Sequence, residues 1–163
     1  MTFSPPLGAP VEAGVRWRES PHHSPRGSAR IRWVVLHADV SPAETATTAW
    51  ICNPDSKVSY HGLIHRDGSL TRYVRDERAA WACGKSWWRD VKWLNRWTLN
   101  LAFANRHDGK EPLTRAQIDR AQRILDAWRS RYPVEAVLTH AMIAPGRKSD
   151  PDRIPNFRLT DYA

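Results

Sequence analysis

Ile31-Arg32-Trp33-Val34-Val35-Leu36-His37 is the stretch on which the reading of the fold turns. It is apolar, rich in β-branched side chains, and ends in a histidine, so it reads as a buried strand. After it, Ser41-Pro42-Ala43-Glu44 looks like a helix start, with Ser41 as the N-cap, Pro42 at the first helical position and Glu44 completing a capping box. That helix is expected to run to about Cys52, where Asn53-Pro54 stops it. Ser59–His65 and Leu70–Arg75 read as two short strands joined by Arg66-Asp67-Gly68-Ser69, since Asp-Gly is a hairpin signal. Residues 76–97 look irregular and hold five tryptophans (Trp81, Trp87, Trp88, Trp93, Trp97). Thr98–Asn105 alternates as a strand does. Thr114 and Gln117 form a capping box for a helix reaching Tyr132, whose apolar face is Ile118, Ala121, Leu125, Trp128 and Tyr132. Ala136–His140 is the last strand, and loop follows. The expectation is an α/β domain, one central mixed β-sheet flanked by helices.

The chain has 163 residues and a mass of 18.7 kDa, which fits one domain. Residues 1–29 carry five prolines and three glycines and read as an extended, loosely ordered N-terminal arm, with His22 and His23 exposed and idle; residues 30–163 form the domain. The arm has neither the basic start nor the apolar stretch of a secretory signal. With no run of 18 apolar residues, a transmembrane helix is excluded. Two cysteines exclude a disulfide framework, and leave open whether Cys52 and Cys83 are free thiols or one bridge. The formal net charge of +8 and pI near 10.1 suggest a polyanionic partner. Because the Arg and Lys are scattered among acids, with no basic stripe, nucleic acid is not the expected partner.

Two histidines close strands: His37 the first, His140 the last, with Asp150 ten residues further on. Two imidazoles and a carboxylate are a three-ligand set for catalytic zinc, with a fourth position for water. The alternative, a hydrogen-bonded core histidine at a strand end, stays open on spacing alone.

The neighbouring blocks narrow the choice. Val34-Val35-Leu36-His37, Val58-Ser59-Tyr60-His61-Gly62-Leu63-Ile64 with Arg66-Asp67-Gly68, Ala80-Trp81-Ala82-Cys83-Gly84, Asn95 before Thr98-Leu99-Asn100-Leu101, and Thr139-His140 with Ala144-Pro145-Gly146-Arg147-Lys148-Ser149-Asp150-Pro151 stand in this order. Together they resemble the type 2 N-acetylmuramoyl-L-alanine amidases, a family that includes peptidoglycan recognition proteins and phage amidase lysins, over roughly residues 31–152. The resemblance implies a zinc ion on His37, His140 and Asp150, and catalytic roles for Tyr60, which orients or deprotonates the attacking water, and Lys148, which stabilises the oxyanion. Trp81 is the expected substrate contact, while His61 is expected to be structural and His65 and His107 exposed. Two departures stand out. Ala82 replaces a common histidine, and Ala102 takes the place of a glutamate that many members use, leaving the tyrosine-dependent version.

The expected activity is zinc-dependent hydrolysis of the amide between N-acetylmuramic acid and L-alanine in bacterial peptidoglycan. The compact basic chain without a signal suggests a monomeric phage or prophage endolysin, made in the cytoplasm and acting on the wall without inserting into a membrane. The alternatives are a non-catalytic peptidoglycan-binding module of the same fold and a cytoplasmic recycling amidase of soluble anhydro-muropeptides.

Overall fold

A computed structural model describes residues 14–163. In chain order the elements are β1 (Val15–Trp17), β2 (His23–Pro25), β3 (Trp33–Ala38), α1 (Glu44–Cys52), β4 (Gly62–Ile64), β5 (Leu70–Arg72), β6 (Arg78–Ala80), β7 (Trp87–Trp88), β8 (Val91–Lys92), β9 (Thr98–Phe103), α2 (Arg115–Arg131), β10 (Ala136–Thr139) and α3 (His140–Ile143). Six strands form the central sheet in the order β1-β5-β4-β9-β3-β10. The β4–β5 hairpin is antiparallel and every other pairing is parallel, so the sheet is mixed.

The decisive stretch does form the buried strand: all six residues of β3 are buried. Its side chains alternate between faces. Val34 and Leu36 join Leu99, Leu101, Phe103 and the α2 residues Ala121, Leu125 and Trp128 in the main core. Trp33 and Val35 point the other way, into a second cluster with Leu94, Leu138 and Ile143. His37 shares their parity, so it emerges on the face opposite α2. A third cluster seats α1 through Ile51 against Leu63, Tyr73 and Ala102.

Local signals are partly as expected. The Thr114–Gln117 capping box is present in both directions. In the β4–β5 turn Gly68 has φ +81, and a Cβ there would meet the Ala116 carbonyl at 2.9 Å, so the turn needs glycine. The α1 start differs. Ala43 is the N-cap with no side-chain cap bond, because the Ser41 hydroxyl is occupied by Ala43, and Glu44 instead accepts from Arg66 N–H and pairs with His65. A carboxylate that can reach a charged partner across the fold gives up the capping box.

The described part of the expected arm is not loose. Val15–Trp17 extends the central sheet along β5, and His23–Pro25 pairs with β6. Residues 1–13 lie outside the described residues. His22 is buried and its Nε2 bonds the Asn53 carbonyl at 2.8 Å, so it is not idle. His65 and His107 are likewise buried, each drawn in by hydrogen-bonding partners. Cys52 and Cys83 are both free thiols. No helix among the described residues is long and apolar enough to cross a membrane.

Candidate active site

His37 stands near the end of β3, and His140 begins α3 directly after β10, the strand paired with β3 on its other side. The parallel register therefore brings the two histidines to one end of the sheet. Asp150 is carried there by the loop after α3, where its carbonyl accepts from Ala141 N–H and its Oδ2 lies 3.3 Å from the Ala38 amide. The Nδ1 atoms of His37 and His140 are 3.0 Å apart. Asp150 Oδ2 is 3.2 Å from the His140 Nδ1 and 3.6 Å from the His37 Nδ1. All three residues are buried, and among the described residues they are the group of His, Cys, Asp or Glu placed to share a metal ion.

The outward nitrogens settle the tautomers. His37 Nε2 lies 2.9 Å from Asn100 Oδ1, and His140 Nε2 lies 3.2 Å from the Cys83 carbonyl. Both partners are acceptors, so each Nε2 carries the proton and each Nδ1 turns a lone pair inward. Two lone pairs converging at 3.0 Å beside a carboxylate repel one another unless a cation lies between them. Two imidazole nitrogens and one carboxylate oxygen, with room for a fourth ligand, are the donor set of a catalytic zinc. The residues thus fit the metal. The electrostatics agree: burial and the neighbouring His37 hold His140 below its ordinary value. Burial would raise the Asp150 carboxyl, but hydrogen bonds and charge from His140 and His37 outweigh it and hold it well below the usual carboxylate range.

Tyr60 lies beside this cluster, its ring centroid 5.1 Å from that of His37. Burial, and then the Asp150 carboxylate, push its phenol above the usual tyrosine range. Ala102 pairs with His37 across the β3–β9 register, and Tyr60 packs against the cluster containing Ala102. The place where many family members carry a glutamate thus lies against tyrosine. Lys148 is exposed in the turn before Asp150, its backbone N–H bonded to the Ala144 carbonyl. Trp81 has another occupation: its indole N–H donates to Ser24 Oγ at 3.0 Å and its ring lies against His22.

Asn100, Cys83 and Arg147 were not singled out from sequence. Arg147 Nη2 donates to the same Cys83 carbonyl that holds His140. Asn100 left a legible mark, a lone amide inside the apolar strand T-L-N-L-A-F. The Cys83 contribution is a backbone carbonyl and leaves none.

Comparison with known proteins agrees with this geometry. Residues 27–153 match the family described as N-acetylmuramoyl-L-alanine amidase, and the chain belongs to that family. Among curated relatives, the 1,6-anhydro-N-acetylmuramyl-L-alanine amidase AmpD of Citrobacter freundii is 33% identical over 105 residues, 62% of this chain and 53% of that protein. AmpD of Haemophilus influenzae is 30% identical over 98 residues, 58% of this chain and 52% of its own length. The chain spans about half the length of the curated relatives it matches. Among solved structures, an AmpD derivative superposes with a TM-score of 0.73 at 25% identity, covering 92% of this chain and 93% of that one. Escherichia coli AmiD, solved with the substrate anhydro-N-acetylmuramic acid-L-Ala-D-gamma-Glu-L-Lys, gives 0.69 at 26% identity, covering 82% of this chain and 56% of that one. An endolysin amidase of Clostridium intestinale shares the fold at 13% identity, with a TM-score of 0.56 and coverage of 80% and 83%.

Proposed function

We propose that this chain hydrolyses the amide joining the lactyl group of N-acetylmuramic acid to L-alanine, with zinc held by His37, His140 and Asp150, and that it does so on a soluble 1,6-anhydro-muramyl peptide. The observation that carries the reading is the convergence of the two Nδ1 lone pairs on the Asp150 carboxylate, with both Nε2 protons turned away. When bound, zinc supplies Lewis acidity that makes water nucleophilic near neutral pH and polarises the scissile carbonyl. Tyr60 orients the reacting groups beside His37, and Lys148 supplies positive charge to the developing oxyanion. Trp81 flanks the substrate on the side of the chain that holds His140 through Cys83.

The sequence alone favoured a wall-degrading phage or prophage lysin. The named relatives support the soluble substrate better: the curated matches are anhydro-muramyl amidases, and AmiD was solved with an anhydro-muramyl peptide. The endolysin likeness, at 13% identity, speaks to fold alone.

The test sets a soluble anhydro-muramyl tripeptide beside purified polymeric peptidoglycan, each with zinc-loaded and chelator-stripped protein. Release of the free peptide amine, faster from the soluble substrate and lost on stripping, is expected. Full activity after complete zinc removal would sink the metal assignment, and a preference for the polymer would restore the lysin. Tyr60→Phe should lower kcat; a fully active variant removes Tyr60 from the chemistry.

A further inference from the structure

A histidine metal ligand works well when its second nitrogen is held, because that bond fixes both tautomer and ring orientation. Here the holder of His37 is an amide side chain in the centre of the sheet. Asn100 is fully buried on β9 and its Oδ1 accepts from His37 Nε2 at 2.9 Å.

An amide can be flipped, which would turn its NH2 toward His37 and favour the wrong tautomer. The surroundings forbid the flip. Asn100 Nδ2 donates to Thr98 Oγ1 at 3.0 Å, and that hydroxyl in turn donates to the Leu94 carbonyl at 3.0 Å. A backbone carbonyl can only accept, so Leu94 fixes the direction of the Thr98 proton. Thr98 then has a lone pair to offer, and so fixes the Asn100 amide. The Cys83 thiol, 3.2 Å from Asn100 Oδ1, is a further donor on the same oxygen.

The backbone of Asn100 is clamped as well. Its N–H donates to His61 Nδ1 at 2.9 Å, and its carbonyl accepts from His61 N–H at 3.0 Å. His61 Nε2 lies 3.0 Å from the Arg78 carbonyl and carries the proton, since Nδ1 is already accepting. This gives the buried His61 a use: its imidazole stands in for a backbone acceptor and holds the strand beneath Asn100.

We infer that Asn100 is a positioning residue for the metal ligand His37, its amide polarity set by the chain Leu94 carbonyl–Thr98 hydroxyl. The inference rests on the zinc reading for its purpose, but the tautomer it describes belongs to the protein without metal.

The experiment uses the full chain with Asn100→Leu, Asn100→Asp and Thr98→Val. Zinc affinity is read by competition with a chromophoric chelator, the ligand field by the absorption of the cobalt(II) form, and the His37 tautomer by imidazole 15N shifts in the metal-free protein. Asn100→Leu should weaken zinc binding about 10–100-fold, the usual effect of losing such a partner. It should also broaden the cobalt bands and mix the His37 tautomers. Asn100→Asp, which keeps an acceptor, should restore both affinity and the Nε2–H tautomer. Thr98→Val keeps volume and fold while freeing the amide to flip, so it should show tautomer mixing even if Asn100→Leu does not fold. Parent-like zinc affinity and a parent-like tautomer in Asn100→Leu would overturn the inference, as would an unmixed tautomer in Thr98→Val. Failure of the parent itself to bind zinc would instead overturn the zinc reading, with the 15N comparison still deciding the role of Asn100.

Discussion

Replacing Arg26 by methionine should cost this protein a large part of its stability, although Arg26 lies in the segment whose composition suggests a loose arm. Its guanidinium is buried and donates to three backbone carbonyls: Nε to Asp76 at 2.9 Å, Nη1 to Arg96 at 2.8 Å and Nη2 to Thr98 at 2.9 Å. Burial pushes its pKa down to about 10, with Asp76 pulling the other way, so it remains cationic at neutral pH. Methionine fills much of the volume but supplies none of the donors. Each buried acceptor left without a partner costs about 1–3 kcal/mol. Deletions that break a buried charged partnership cluster at about 3–5 kcal/mol, and three carbonyls place this one near 4. For a domain of this size that is a fall in melting temperature of about 8–16 °C. Arg26→Lys keeps the charge but not the planar fork and should fall between. Circular dichroism melts of the full chain read the effect. A loss within about 0.5 kcal/mol, typical of exposed sites, would refute the claim that residues 14–29 belong to the cooperative core.

Asp150→Asn removes the carboxylate charge at nearly constant shape, and should lower zinc affinity by more than the about 10–100-fold of an outer-shell change, as chelator competition would show. His61 gives a pH dependence: burial, and then Arg26, push its pKa down to about 3 against 6.5 for the unfolded chain. As pH falls below about 6.5 the unfolded state takes up a proton that the folded state refuses, so stability drops toward pH 3 at up to about 1.4 kcal/mol per unit. Urea midpoints from pH 7 to 4 should show that slope, and His61→Gln should flatten it; an equal slope in the variant would assign it to other groups. Trp88, packed in the second core cluster, should cost about 3–5 kcal/mol on change to alanine. Trp87 and Trp93, 46% and 63% exposed, should cost under about 0.5 each, and denaturant titration separates the two outcomes.

Much of the fold was legible because its signals are local. The apolar run of β3, the Asp-Gly turn and the Thr114–Gln117 box each act within a few residues. The metal ligands were legible for a different reason: strand ends are where side chains leave a core, and the flanking blocks resemble those of a known family. What stayed hidden is long-range. Strand β1 is three residues long and pairs with β5, more than fifty positions away, so no periodicity marks it. Arg26 and His22 look like surface residues in a proline-rich stretch until their carbonyl partners are in place. The five tryptophans of 76–97 divide into packed and exposed members only once the β7–β8 hairpin sets their faces. Trp88 pairs with Val91 over the core, whereas Trp87 pairs with Lys92 outward.

The parallel placement of β1 beside β5 has a bearing on solubility. A sheet's border strands carry unpaired amides and carbonyls that can recruit another chain. Here one border is the three residues Val15–Trp17, with Arg16 inside it and Arg18 just beyond. The other is Ala136–Thr139, entered from Pro133 and Glu135 and turned at once into α3. Short, charged and abruptly ended borders leave little template for edge-to-edge association. The fully buried strands β3 and β9, whose apolar sequences would be the hazard, lie in the interior between β4 and β10.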